Sequence, residues 1–273
     1  MREIGVIIPI LDMEIDAKFA QAKNLGVTTC QVNCWNRKFM TADVAKIIVE
    51  SAKKYDIKIS AFWCGWEAGP RVWDFYQGPI TLGLLPREYR NDRINQLVEG
   101  SEFAKLLGVT DIATHVGFLP ENPATTEYNE IVSVIRYIAE IYKSNGQYFL
   151  FETGQETPVT LRRTIEDVGT GNLGINLDPA NLIMYGKANP IDALTVFGKY
   201  VRGIHGKDGN YPTDGKNLGK EMPMGQGSVN YPAFMAKLKE VGYNGSITIE
   251  REIFGEQQSI DIIAARKLLE SLM

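Results

Sequence analysis

The chain predicts an α/β fold, a single (β/α)8 TIM barrel, and three observations carry that expectation. Short β-branched or apolar runs alternate with longer stretches of helical period along all 273 residues, the pattern of βα units wound around a parallel sheet. Eight such pairs can be counted, and a barrel of this type uses about 250 residues. A helix end, Leu-Gly-Val, and the strand after it recur in NLGVTTCQVN (24–33) and LLGVTDIATH (106–115), a faint echo of one repeating unit. No linker or composition break divides the chain, so residues 1–273 read as one domain.

Taken in order, strand one is expected at 4–8, closed by Pro9, and a helix at 16–25 stops at Gly26, a residue suited to the left-handed end of a helix. Strand two, 28–33, precedes a helix that Thr41 caps, with Val44, Ile47, Ile48, Ser51, Ala52 and Tyr55 at three- and four-residue spacing. Strand three is 58–62. The stretch 64–89 is irregular, rich in Gly and Pro, and carries Trp66, Trp73, Phe75 and Tyr76; a connection that long is usually a lid or binding loop. The next helix spans 92–107. Gly100 inside it costs about 1 kcal/mol relative to alanine, which requires compensating packing or a bend. Strand four is 109–115 and its helix 126–144. Strand five is 147–152, followed by a helix over 158–168. Strand six is 173–178, with a shorter helix over 192–200. Strand seven is 201–205, with a helix from Pro232 to Gly242. Strand eight, 246–250, and a closing helix at 260–272 complete the count.

Hydrophobic residues make up 44% of the chain, enough for one buried core, and the net charge is −4. Neither a nucleic-acid surface nor a membrane surface is expected from that balance. The apolar run near the N-terminus, about six residues, is shorter than a signal peptide requires and far shorter than a membrane span. Cys30, Cys34 and Cys64 are odd in number. No second cysteine pair or nearby histidine completes a zinc site, so they are expected as reduced, buried thiols of a cytoplasmic protein. A homo-oligomer is compatible with these properties.

The chemistry gathers where strands stop. VRGIHGKD (201–208) ends at His205, Lys207 and Asp208, and His205 is one of two histidines. YFLFE stops at Glu152, LGINLD at Asp178 and SITIE at Glu250; strand two ends at Asn33 and strand four at His115. In this fold catalytic groups come from those C-terminal ends. Side chains alternate along a strand, so Thr248 shares the face of Glu250 and Asn176 that of Asp178. The acids then point inward, where isolated charges are very costly.

Any one acid could instead cap the next helix or pair with an arginine. Glu152, Asp178, His205 and Glu250 together, on consecutive strands, ask for one divalent cation of the Mn²⁺, Mg²⁺, Co²⁺ or Zn²⁺ kind. Around them, His115 reads as a substrate contact or a hydrogen-bonded wall. Lys207 reads as a stabiliser of a developing oxyanion or as a brace to Glu250 or Asp208. Trp35, Trp63 and Trp66 could stack on a substrate ring or serve as core or rim packing, and Asn33 and Asn181 complete the expected substrate contacts. The loop MGQGSV (224–229) could take a phosphate. No nucleophile elbow, P-loop or dinucleotide fingerprint appears.

FETGQE (151–156), INLDPANL (175–182), HGKDG (205–209), MGQGSVNY (224–231) and GYNGSITIERE (242–252) resemble the xylose-isomerase-like barrel superfamily of ketose 3-epimerases, hydroxypyruvate isomerase, inosose dehydratase and endonuclease IV. The resemblance runs over nearly the whole chain. It implies one divalent metal held by Glu152, Asp178, His205 and Glu250, with both glutamates doubling as proton-transfer groups. The implied substrate is a small carbohydrate, and the implied reaction isomerisation or epimerisation next to a carbonyl through a metal-stabilised enediolate. A lyase or dehydratase using the same deprotonation is the alternative. Two departures stand out: Asn181 occupies the place of a 3-epimerase histidine, and no arginine shortly after His205 can be matched. Endonuclease IV needs several further histidines, and only His115 is left.

Overall fold

A computed structural model describes residues 3–273; Met1 and Arg2, which begin the expected domain and its N-terminal apolar segment, lie outside the described residues. Eight parallel strands close a barrel: β1 (Ile4–Pro9), β2 (Thr29–Cys34), β3 (Lys58–Cys64), β4 (Asp111–Thr114), β5 (Tyr148–Glu152), β6 (Leu173–Leu177), β7 (Val201–Gly206) and β10 (Ile247–Ile249). Neighbours follow chain order, and β1 pairs with β10 to close the ring. A two-residue antiparallel ladder, β8 (Asp208–Gly209) with β9 (Glu221–Met222), lies in the loop after β7. This is the (β/α)8 architecture the sequence predicts.

Around the barrel lie α1 (Ile15–Asn24), α2 (Ala42–Tyr55), α3 (Gly78–Thr81), α4 (Arg87–Leu107), α5 (Thr126–Ser144), α6 (Pro158–Val168), α7 (Pro179–Met184), α8 (Pro190–Phe197), α9 (Tyr231–Glu240) and α10 (Glu256–Leu272). Thr41, Thr125 and Thr157 cap α2, α5 and α6 through their side chains, each satisfying a backbone N–H that the helix cannot. The short α3 and α7 are additional to the eight helices expected. Helix α4 begins five residues before the expected start. Its first turn, REYRN, has no apolar period to read; Arg90 and Arg93 hold it by donating to the carbonyls of Leu84, Leu85, Ala68 and Gly83. Helix α10 likewise begins before 260, through the polar turn EQQS.

Strand parity sorts the core into two layers. Phe149 and Phe151, Cys30 and Val32, Ile175 and Leu177, and Ile247 and Ile249 join the large apolar cluster beneath the helices. The alternate residues fill the barrel itself. Trp63, Ala113 and Leu150 form a small interior cluster, and Gln31, Asn176, His205 and Thr248 are buried beside it. Gly100 has a packing reason: a Cβ there would lie 2.4 Å from the Cys64 sulfur, so α4 lies against β3 only because that position is bare. All three cysteines are free and buried. Among the described residues no helix is long and apolar enough to cross a membrane.

Candidate metal centre

Parity and strand length deliver the polar residues to one end of the barrel. Glu152 ends β5, His205 lies in β7, and Asp178 and Glu250 directly follow β6 and β10. One ligand atom from each of Glu152, Asp178, His205 and Glu250 lies within 4.8 Å of the others. His205 Nδ1 stands 3.3 Å from Glu152 Oε1, 3.6 Å from Asp178 Oδ2 and 3.2 Å from Glu250 Oε2. Two of these atoms, His205 Nδ1 and Asp178 Oδ2, are buried without a hydrogen-bond partner among the described residues. Buried polar atoms are nearly always satisfied. Two orphans facing one point, among three carboxylates and an imidazole, fit a divalent cation.

Asp178 shows how one residue serves two needs. Its Oδ1 accepts from Asn181 N at 2.8 Å and caps α7, the helix-capping role open to any such acid. Its Oδ2 remains for the site. Pro179 at the first helical position suits that start, a signal in DPAN from which α7 could have been predicted.

Below the ligands the barrel interior orients the imidazole. His205 Nε2 lies 2.9 Å from Gln31 Oε1 and 2.9 Å from Asn176 Nδ2, and Gln31 Nε2 donates to Asn176 Oδ1 at 3.0 Å. Gln31 Oε1 can take a proton from Nε2, the tautomer that presents Nδ1 to a metal, while Asn176 Nδ2 can donate to an unprotonated Nε2. Gly203 makes room for the network, since a Cβ there would stand 2.3 Å from Asn176 Oδ1.

The electrostatics are those of a cluster short of positive charge. Burial pushes the Glu152 carboxyl up, but the His205 and His115 rings hold it below its usual value. Burial does the same to Glu250, where Lys207 and His205 prevail and hold it well below. At Asp178 burial wins over Lys207 and the carboxyl is raised. For His205 burial opposes the charged ring, yet Glu152 and Glu250 raise it well above the ordinary histidine value. Lys207 is buried too, and Glu250, Glu252 and Asp178 keep its proton on.

A cavity of about 270 Å³ opens above the ligands, walled by Asn33, Trp35, Trp63, Trp73, His115 and Asn181, among others. Every substrate contact expected from sequence, Lys207 included, therefore lines it. Trp63 Nε1 donates to Glu152 Oε2, and Asn181 Nδ2 reaches Glu152 Oε1 at 3.5 Å. His115 Nε2 lies 3.6 Å from Glu152 Oε1, edge-on to Trp63 and Trp73. Lys207 Nζ stands 3.1 Å from both Glu250 and Glu252.

Three open alternatives are resolved. Trp66 takes the packing one: it is fully buried beneath the Arg93 guanidinium, 4.0 Å from its ring, and offers no sugar face. The brace from Lys207 to Asp208 is not made, because the Asp208 carboxylate accepts instead from the backbone N–H groups of Gly209, Gly225, Gly227 and Val229. That same arrangement removes the phosphate site, since the N–H groups of MGQGSV already hold an anion, the protein's own. Sequence reasoning placed Trp73 in the expected lid or binding loop without giving it a role, and missed Gln31, Met184, Tyr185, Leu218 and Glu252. Period-two alternation from Asn33 would have flagged Gln31.

A model of the family described as xylose isomerase-like TIM barrel matches residues 19–271. The chain belongs to that family. A xylose isomerase domain protein from Planctomyces limnophilus has a crystal structure that matches with 36% identity and a TM-score of 0.93, over 99% of this chain and 97% of that one. A D-tagatose 3-epimerase-like protein matches at 19% and 0.74, over 99% and 96%. A probable 3-DHS dehydratase of Bacillus anthracis matches at 17% and 0.70, over 97% and 98%. At these last two identities the xylose isomerase-like likeness is one of fold. An uncharacterised protein of Methanocaldococcus jannaschii is 26% identical over 185 residues, 64% of this chain. The match spans 60% of that relative's length.

Proposed function

We propose that this chain is a divalent-metal-dependent isomerase or epimerase of a sugar or keto-sugar, working by proton abstraction next to a carbonyl. The observation that carries the reading is the convergence of four ligand atoms within 4.8 Å at the floor of a tryptophan-walled cavity. Glu152, Asp178, His205 and Glu250 would hold the ion, which when bound supplies Lewis-acid polarisation of a substrate carbonyl. Glu250 and Glu152 approach from different strands, so one removes the carbon-bound proton and the other returns it. Trp63 and Asn181 fix Glu152 in place by donating to it. Lys207, held charged against Glu250, offers its ammonium to oxygen charge developing at the pocket wall. Trp35 and Trp63, with ring centres 4.9 Å apart, give a sugar an apolar face, and Asn33 and His115 offer hydrogen bonds. Membership of a family with epimerase and dehydratase folds among its structural neighbours supports a carbohydrate substrate.

A lyase is the second reading, favoured by one observation. Lys207 Nζ stands 3.1 Å from Glu252 as well as Glu250, and its ammonium would lend positive charge to the oxygen of a departing β-substituent. Keto-sugars incubated in D₂O separate the two: deuterium at carbon with composition retained supports isomerisation, whereas loss of water or an aglycone supports the lyase. Glu152→Gln and Glu250→Gln should each lower turnover by about 10²–10⁴-fold and reduce bound metal measured by mass spectrometry. Full activity in both variants would make the two-glutamate mechanism untenable.

A further inference from the structure

A second groove leaves the metal pocket at its rim. It measures about 350 Å³ and shares Asn33, Trp35, Glu250 and Glu252 with that pocket as common walls. Beyond this partition its lining is mostly apolar, including Pro9, Leu11, Ile253 and Phe254. Phe254 is 87% exposed and Leu11 57%, so an apolar group that covers them gains about 25 cal/mol for each Å² withdrawn from water. The polar groups alongside are already committed. Arg251 pairs with Glu221 and Asp261, and Gln258 donates to the Arg251 carbonyl. Little hydrogen-bonding capacity is left for a second sugar ring. The volume suits a small molecule, whose sites run to about 300–1,000 Å³; a stable protein interface needs about 800 Å² per partner.

We infer that the substrate is a keto-glycoside with a flat apolar aglycone, its carbonyl-bearing ring over the metal ligands and its aglycone along Pro9, Leu11, Ile253 and Phe254. The inference rests on the sugar reading above. Trp35 is the divider: it lines both cavities, with the Arg71 guanidinium 4.3 Å from its ring. A free keto-sugar would leave the groove to water.

The test compares methyl and phenyl β-D-glucosides, and their 3-keto forms, by isothermal titration into the Mn²⁺-loaded protein. The phenyl member of a pair should bind about tenfold more tightly, equivalent to about 1.4 kcal/mol. Phe254→Ala and Leu11→Ser should each shrink that preference at least about threefold; both side chains are exposed, and circular dichroism verifies folding. Equal binding of the pair, including no binding by either, overturns the inference, as does a preference that survives in both variants. It is also overturned if light scattering shows Phe254→Asp splitting a dimer while the phenyl preference persists, since the face would then join two copies. Deuterium exchange is scored separately: a phenyl preference without exchange supports the groove and overturns the catalytic reading.

Discussion

Glu156 follows Glu152 by four residues and does not line the metal pocket. Its Oε1 has no partner among the described residues, and burial pushes its carboxyl up to about 8 even though the Gly154 and Glu156 N–H groups pull the other way. An acid raised in the folded state costs stability as pH climbs from its unfolded value, near 4.5, to the folded one. Glu156→Gln should therefore melt higher than the parent at pH 8 and alike at pH 4; a constant difference across that range would refute the assignment. At His205 the sign runs to metal affinity. Its proton is held by Glu152 and Glu250, and coordination through Nδ1 must expel it, so affinity rises with pH and loading releases acid. A weakly buffered solution near neutral pH, with an indicator dye, should acidify on adding Mn²⁺, and an unchanged reading would count against His205 as a ligand. The four candidate ligands were legible because each ends an apolar run. The Gln31–Asn176 pairing was not, because the two lie 145 residues apart and only closure of the barrel brings them together.

Elements carry the next set of expectations. On propensity alone Gly100→Ala should strengthen α4 by about 1 kcal/mol. The added methyl would instead meet the Cys64 sulfur at 2.4 Å, and overpacking of that kind costs about 1–3 kcal/mol. Urea denaturation should show net destabilisation, while a gain would mean that the helix can shift freely. Asp208→Ala would leave four backbone N–H groups, those of Gly209, Gly225, Gly227 and Val229, without their acceptor. The chain over 209–229 should then be cut faster by a protease at unchanged far-ultraviolet dichroism. In the sequence HGKDG and MGQGSV looked like two separate signals. They are one structure, and spacing could not show it because an aspartate and a glycine turn carry no shared period. Strand and helix existence was readable from apolar period, whereas the start of α4 was not, because charged turns held by arginine–carbonyl bonds leave no such trace.

At the scale of the whole molecule, the barrel interior holds polar residues where many barrels stack aliphatic ones. Buried carboxylates around an imidazole and an ammonium are costly to assemble, and a cation that binds only the folded state recovers stability by mass action. Saturating Mn²⁺ should raise the melting temperature by about 5–10 °C over protein stripped with EDTA, and Asp178→Asn should abolish most of that rise. Equal melting in both conditions would leave the four side chains as a structural charge cluster. The fold class was readable from alternation alone, since each βα unit repeats the pattern locally. The groove beside Phe254 was not, because it is made by surfaces from opposite ends of the chain.

The ring is sealed by β1 against β10, in register from Ile4 with Ile247, and Glu250 arrives with that last strand. During synthesis β10 must therefore leave the ribosome before the fourth donor can join the other three. A nascent chain stalled after β7 would offer Glu152, Asp178 and His205 as an incomplete set, so a cation that needs all four donors would be held only once the ring has closed.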